Sequence, residues 1–227
     1  MLSIITVVLN DANGLRRTLE SLRSQCFQDF ELLIIDGAST DNIQEVIFEF
    51  ADLISVYISE KDDGVYHAMN KGLDHSNGDA VIFLNAGDYL VGQVFSSYTG
   101  GVGLLPYYYE NARGVLTRGG ARLFFLGMPY CHQAIVYPSS KIRYDTSYRI
   151  SADYEYTIRN FNNKLPHLIN SSGYVVFSAG GISSRYRNIR DFESMLIVKK
   201  YFTKYHLICF KFKLKLSEFI RRFNGYE

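Results

Sequence analysis

The chain has 227 residues, 47% of them hydrophobic and 21% charged, with only four prolines. That is enough apolar sequence to bury a full core, and it excludes a disordered polypeptide. The formal net charge of +1 argues against a global electrostatic grip on nucleic acid, but the sum hides a division. From Arg185 to Glu227 there are eleven Lys/Arg against four Asp/Glu, a net of +7, and the other 184 residues carry −6.

In chain order, Ser3 to Leu9 is a β-branched apolar run that predicts a buried strand. Asn10 to Gly14 is a loop rich in helix-capping residues, and Leu15, Leu19 and Leu22 then recur at helical spacing. Phe30 to Ile35 predicts a second strand, closed by Asp36-Gly-Ala-Ser-Thr-Asp41. A helix over 43–50, a strand over 54–59, a helix over 65–75 and a strand over 80–84 follow. Strands alternating with helices at this rhythm predict a mostly parallel α/β sheet. Past Asp88 the chain turns to short Gly- and Tyr-rich runs, 102–109 and 115–125, which read as antiparallel or mixed strands. A short strand over 134–137, a helix over 151–161 and a strand over 168–178 complete the body, and Gly180-Gly181 breaks the last strand.

The three cysteines, Cys26, Cys131 and Cys209, are far apart and match no zinc spacing. A reducing compartment is therefore expected rather than a disulfide framework. Residues 1–10 lack a basic segment and a cleavage site, so no signal peptide is expected.

In an open parallel sheet, ligands bind beyond the carboxyl ends of the strands. Each of the first four strands here ends in polar or acidic residues: Thr6 and Asn10, Asp36 with Asp41, Glu60 with Asp62 and Asp63, and Asp88. One acidic loop is ordinarily a solvated turn; four on one sheet edge predict a functional cleft. Carboxylates in such a cleft suit Mg2+ or Mn2+ held together with a phosphorylated ligand. Neither a Walker A motif nor a G-x-G-x-x-G turn follows any strand.

These residues resemble the family 2 glycosyltransferases. The resemblance is carried by Ile4-Ile-Thr-Val-Val-Leu-Asn10 and Leu33-Ile-Ile-Asp-Gly-Ala-Ser-Thr-Asp41. It continues in Ser59-Glu-Lys-Asp-Asp-Gly-Val-Tyr-His-Ala-Met-Asn-Lys-Gly72, similar to the S-E-x-D-x-G-I-Y-D-A-M-N-K-G run of bacterial polysaccharide transferases. Gly78 to Asp88 stands where the metal-binding D-x-D motif belongs. The resemblance implies a GT-A fold over 1–185 and inverting transfer of a single sugar from a UDP-sugar. It places Thr6, Asn10, Asp36, Asp62, Asn70 and Lys71 around the nucleotide and makes Asp88 the metal ligand. Asp153 is then the base that deprotonates the acceptor, with Glu155 as the alternative. His132 and Gln133, in Met128-Pro-Tyr-Cys-His-Gln133, fall beside the acceptor. The structural alternatives stay open: a first-turn helix acid for Asp153, a satisfied histidine for His132. Three departures stand out. Asn85 replaces the first Asp of D-x-D, His67 replaces the Asp of Y-D-A-M-N-K, and no Q-x-x-R-W follows Asp153. A sugar-phosphate nucleotidyltransferase would need a Gly-rich loop that Asn10 to Gly14 does not supply. A degenerate binding module draws support from Asn85 alone.

Residues 186–227 read as an amphipathic helical extension. At 100° per residue, Tyr201, Phe202, Tyr205, Ile208, Cys209, Phe212, Leu216, Phe219, Ile220 and Phe223 share one arc, with Lys204, Lys211, Lys215 and Arg222 beside it. Such a helix suits an anionic membrane surface; packing on the domain or a homodimer contact is the other reading. The expectation is a peripheral enzyme on the cytoplasmic face of the cell membrane. Its acceptor would be a polyprenyl-diphosphate-linked saccharide of O-antigen or capsule type.

Overall fold

The computed structural model describes residues 1–96, 98–111, 114, 116–118, 123–178 and 185–223. Its centre is a six-stranded sheet in the order β3-β2-β1-β4-β9-β6. The strands are β1 (Leu2–Val8), β2 (Phe30–Asp36), β3 (Val56–Ser59), β4 (Ala80–Phe83), β6 (Gly103–Leu104) and β9 (Ile135–Pro138). β3, β2, β1 and β4 run parallel, while β9 is antiparallel to β4 and β6 antiparallel to β9. Every residue of β1 is buried, as the continuous apolar run requires of a strand covered on both faces. The crossovers are α1 (Ala12–Arg23), α2 (Ile43–Glu49) and α3 (Val65–His75). A second sheet, ordered β5-β10-β7-β8, is built from β5 (Tyr89–Gln93), β7 (Tyr107–Glu110), β8 (Leu116–Arg118) and β10 (Ser172–Ser178). The short β5 lies in a stretch with no alternating pattern, and its pairing with β10 is a tertiary fact.

Register aligns the strand ends. Val8 pairs with Asp36 and Asp36 with Ser59, so three loops leave the sheet at one level. Beyond β4 the ladder continues through Leu84 N–H to Ile5 O and Ala86 N–H to Val7 O, which carries the 84–88 turn alongside β1. Gly87, at φ +91°, supplies the left-handed residue this turn needs. α3 lies close on β1 because Gly72 has no side chain. A Cβ there would sit 2.4 Å from Ile5 Cγ2.

Helix α4 (Ala152–Phe161) follows β9. Past residue 186 there are two helices, α5 (Arg187–Tyr201) and α6 (Lys204–Phe223), and the second covers most of the 201–223 periodicity. Phe202 is extended, and Thr203 starts the second helix by accepting Leu207 N–H on its carbonyl. Thr203 is a capping residue type that marks a helix start inside the 201–223 periodicity. Most of the expected arc faces outward: Tyr205 is 70%, Ile208 65% and Phe212 68% exposed. The opposite, narrower face does the packing. Phe210 is buried with Phe124, Tyr154, Ile158, Ile197 and Val198, with Leu207 and Leu214 against them. The two helices therefore share a buried cluster with α4. Gly180-Gly181 and Val115 lie outside the described residues, as do the side chains of Arg222 and Phe223.

At the sheet end opposite the aligned loops, buried Glu31 organises the turn into β4. Its carboxylate accepts Ser3 Oγ–H at 2.6 Å, Gly78 N–H at 3.0 Å and the Asn77 backbone N–H. Burial pushes the Glu31 carboxyl up, but these hydrogen bonds prevail and its pKa is lowered. A carboxyl lowered in the folded state stabilises above its unfolded value of about 4.3 and loses that contribution as pH falls through the folded value. Glu31→Ala should cost about 2 kcal/mol at neutral pH, read by urea unfolding. The gap to wild type should narrow below about pH 4.

Candidate active site

The loops at the carboxyl ends of β1 and β2 are bound to each other. Asn10, at φ 52°, accepts Thr40 N–H on Oδ1 at 2.8 Å and donates its own N–H to Ser39 Oγ at 2.8 Å. Ala12 N–H donates to Asp41 Oδ2 at 2.8 Å. Asp36 is fully buried and already engaged. Its Oδ1 accepts Ser39 N–H at 2.9 Å, and its Oδ2 accepts Ser59 Oγ–H at 2.6 Å and the Tyr57 hydroxyl at 3.2 Å. Asp36 therefore shapes the loop from a buried position. Thr6 is fully buried within β1, between the residues that bond the 84–88 turn, and its hydroxyl has no partner.

The third loop holds a charged cluster. Lys71 Nζ lies 2.7 Å from Glu60 Oε1 and 2.9 Å from Asp62 Oδ1. Burial works against the Lys71 ammonium, but these carboxylates prevail and its pKa is raised. His67, the unusual residue of the motif, sets Nδ1 3.1 Å from Asp62 Oδ1. The other oxygen, Asp62 Oδ2, is buried without a partner and lies near Gly37. The Asn70 side chain pairs both ways with the backbone of Tyr144, Oδ1 taking the N–H at 2.7 Å and Nδ2 reaching the carbonyl at 3.0 Å. It anchors the chain after β9 to α3.

Asp88 follows the 84–88 turn and is buried. α1 fixes the turn: Thr18 Oγ1 donates to Asp88 O at 2.6 Å and accepts Gly87 N–H at 3.1 Å. The Asn85 side-chain oxygen is buried and unpartnered. Across from it, a 3-10 turn at His132–Ala134 brings His132 Nδ1 to 3.4 Å from Asp153 Oδ2, while His132 Nε2 is buried without a partner. Gln133 accepts the Cys131 thiol on Oε1. Burial pushes the Cys131 thiol well up, and the charges of Asp88 and Asp153 push the same way. Both carboxylates thus lie within electrostatic reach of one buried thiol, although 65 positions separate them in sequence.

Asp153 stands in the first turn of α4, with a side chain 20% exposed. Oδ1 accepts Tyr154 N–H at 2.8 Å and the Tyr66 hydroxyl at 3.3 Å. Tyr66 shares this proton with Ile150 O at 2.7 Å, and burial raises its hydroxyl pKa well above the usual value, keeping it a donor. Sequence reasoning passed over Tyr66, although it is the tyrosine of the Tyr-x-Ala-Met-Asn-Lys-Gly run. The alternative base, Glu155, is excluded by its surroundings. It is buried, ion-paired to Arg159 at 2.7 Å and Lys200 at 3.4 Å, and accepts the Tyr201 hydroxyl. It joins α4 to α5 and faces away from Asp153's partners.

Among the described residues no group of three His, Cys, Asp or Glu is arranged to hold a metal. Asp88 with the orphaned Asn85 oxygen is a hard-donor pair too small to cage an ion alone. It fits a divalent cation that shares its coordination with a ligand's phosphates, as Mg2+ does.

A parallel sheet whose strand-end loops gather at one edge, joined to a mixed second sheet, is the GT-A architecture of nucleotide-sugar transferases. S. aureus TarS residues 1–349 in complex with UDP superposes with a TM-score of 0.63 at 16% identity, over 87% of this chain and 64% of that one. The mannosyltransferase PcManGT from Pyrobaculum calidifontis, in complex with GDP-Man and Mn2+, superposes at 0.57 with 15% identity, over 88% and 63%. This chain thus spans under two thirds of either solved structure. A family model, glycosyl transferase family 2, matches residues 3–92. The PGL/p-HBAD biosynthesis glycosyltransferase of Mycobacterium bovis is 34% identical over 206 residues, covering 81% of this chain and 79% of that protein. The chain belongs to glycosyltransferase family 2.

Because Asn70 serves the fold, Asn70→Ala should lower stability by about 2 kcal/mol through two lost hydrogen bonds, one leaving a backbone N–H unpaired. Equilibrium unfolding measures this.

Proposed function

We propose that this transferase moves a single sugar, with inversion, from a UDP-sugar to a polyprenyl-diphosphate-linked saccharide, using a divalent cation. The observation that carries the reading is the placement of Asp153: partly open, gripped on Oδ1 by Tyr66 and Tyr154 N–H, and near His132 on the other side. In the reaction the acceptor hydroxyl oxygen forms a bond to the sugar's anomeric carbon. The bond from that carbon to the diphosphate oxygen breaks, and its electron pair leaves with UDP. The hydroxyl proton passes to Asp153, the general base. Tyr66 holds the carboxylate while the proton arrives, and Asn10 with the Ser39-Thr40 loop shapes the nucleotide side. Asp88 and Asn85 would be the residues to hold a divalent cation such as Mg2+ or Mn2+, which would compensate the charge of the departing diphosphate. TarS in complex with UDP and with UDP-GlcNAc supports the donor class; GDP-Man on PcManGT makes a GDP-sugar the control.

The membrane reading rests on α6. Its outward arc of Tyr205, Ile208, Phe212, Leu216 and Ile220 is exposed, and the exposed Lys204, Lys211 and Lys215 lie along one border. An interfacial helix presents this combination to an anionic leaflet, each lysine contributing about 1 kcal/mol. No helix among the described residues is long and apolar enough to cross a membrane. Docking on the cytoplasmic face would bring the site to a lipid-linked acceptor.

UDP-sugars with Mn2+ should bind in calorimetry more tightly than GDP-mannose. Asp153→Asn and Asp88→Asn should each lower UDP release about 100-fold or more with the fold intact. Wild-type turnover in Asp153→Asn removes that residue from the mechanism, and UDP binding without turnover by the wild type favours a binding module. For the tail, Ile208→Glu with Phe212→Glu should abolish co-sedimentation with phosphatidylglycerol vesicles at unchanged melting temperature. Unchanged vesicle binding by that variant refutes the membrane reading.

A further inference from the structure

The chain leading into the base-bearing helix is held by a residue far from it in sequence. Glu193, in α5, is buried, and its carboxylate accepts three successive backbone N–H groups. Arg149 donates to Oε1 at 2.6 Å, and Ile150 and Ser151 donate to Oε2 at 2.9 and 2.8 Å. These amides lie immediately before α4, whose N-cap residue Ser151 makes no side-chain cap bond of its own. The Ser151 hydroxyl instead donates to Arg190 O at 3.2 Å, again in α5. A carboxylate here matches the positive end of the α4 dipole, and it satisfies the N-cap amide together with the two amides before it.

The same short segment is held from its other side. The single Tyr66 hydroxyl proton is shared between Ile150 O at 2.7 Å and, more weakly, Asp153 Oδ1 at 3.3 Å. The peptide groups around Ile150 are therefore clamped between α3, which carries the sequence motif, and α5, which lies outside it. Three residues beyond Ile150 stands Asp153, with little backbone freedom between the clamp and its Cα. Charge-assisted bonds to three consecutive amides fix both the height and the direction of this segment more firmly than neutral ones would.

We propose that Glu193 is a positioning residue for Asp153: the first C-terminal helix aligns the general base from behind and is part of the catalytic unit. This rests on the assignment of Asp153 as base. A misplacement of about 1 Å at a reacting group costs on the order of 100-fold in rate, so loss of the carboxylate should appear in turnover rather than in donor affinity.

The test uses the full chain and Glu193→Gln, which keeps the shape and removes the charge. UDP release is followed from the best of UDP-glucose, UDP-galactose and UDP-N-acetylglucosamine, with water as acceptor, and normalised to UDP-binding sites counted by calorimetry. We expect kcat to fall roughly 10- to 100-fold while KM for the donor stays within about twofold. On the Asp153→Asn background the same substitution should change the residual rate by less than about twofold, because it acts through Asp153. An equal loss on both backgrounds means a merely structural role and overturns the proposal. Amide exchange in a peptide covering 149–153 should quicken in Glu193→Gln, whether or not the wild type turns over. Unchanged exchange also overturns it. Wild-type turnover in Asp153→Asn alone sinks the base assignment, an outcome read from that variant without reference to Glu193.

Discussion

Parallel pairing of β3, β2, β1 and β4 is the constraint from which the rest of the molecule follows. Parallel strands need crossover connections, so every strand leaves the sheet at the same edge. The register of Val8, Asp36 and Ser59 then sets three loops at one height, and the ladder past β4 brings the 84–88 turn beside them. The sheet creates the cleft; the loops only decorate it. The opposite edge has a different task, and there the Glu31 carboxylate is spent on backbone amides that close the turn into β4.

Polar residues at the cleft divide into two kinds that look alike in sequence. Asp36, Asn70 and Glu155 are engaged on both side-chain polar atoms by internal partners. Asp153, Asp62 and Asn85 retain capacity. Asp153 is partly open, while one side-chain oxygen on each of Asp62 and Asn85 has no partner despite being buried. Buried polar atoms are rarely left unsatisfied without a reason, and here these atoms lie around the loops where a nucleotide sugar would sit. Asn85 itself fits this view. It keeps an oxygen donor, without the charge, where the family motif has a carboxylate.

The C-terminal helices show how one periodicity can hide two functions. α6 has apolar residues on opposite faces: Phe210 with Leu207 and Leu214 pack inward, and Tyr205, Ile208 and Phe212 face out. A narrow inward face suffices because α5 supplies the rest of the buried cluster through Ile197 and Val198. Glu155 and Glu193 add polar fastening on either side of α4. Assembled this way, the exposed apolar arc of α6 and the helix that carries Asp153 belong to one packed unit.

By itself the sequence determined the α/β class, the chain order of the parallel core, the family and the loops that form the site. It did so because buried parallel strands demand unbroken β-branched runs and because the motif residues stand at the ends of those runs. It also marked Asp153 and the amphipathic character of the tail. Only the tertiary structure decided which polar side chains are taken up by internal partners. Such pairing depends on partners 20 to 80 positions away, such as Ser59 for Asp36, Tyr144 for Asn70 and Lys200 for Glu155. It alone split the tail at Phe202-Thr203 and turned the broad arc outward, since a helical wheel records periodicity and not which face meets the core. And it alone joined Glu193 to the amides before α4, a contact between a carboxylate and three peptide groups that leaves no trace in side-chain pattern.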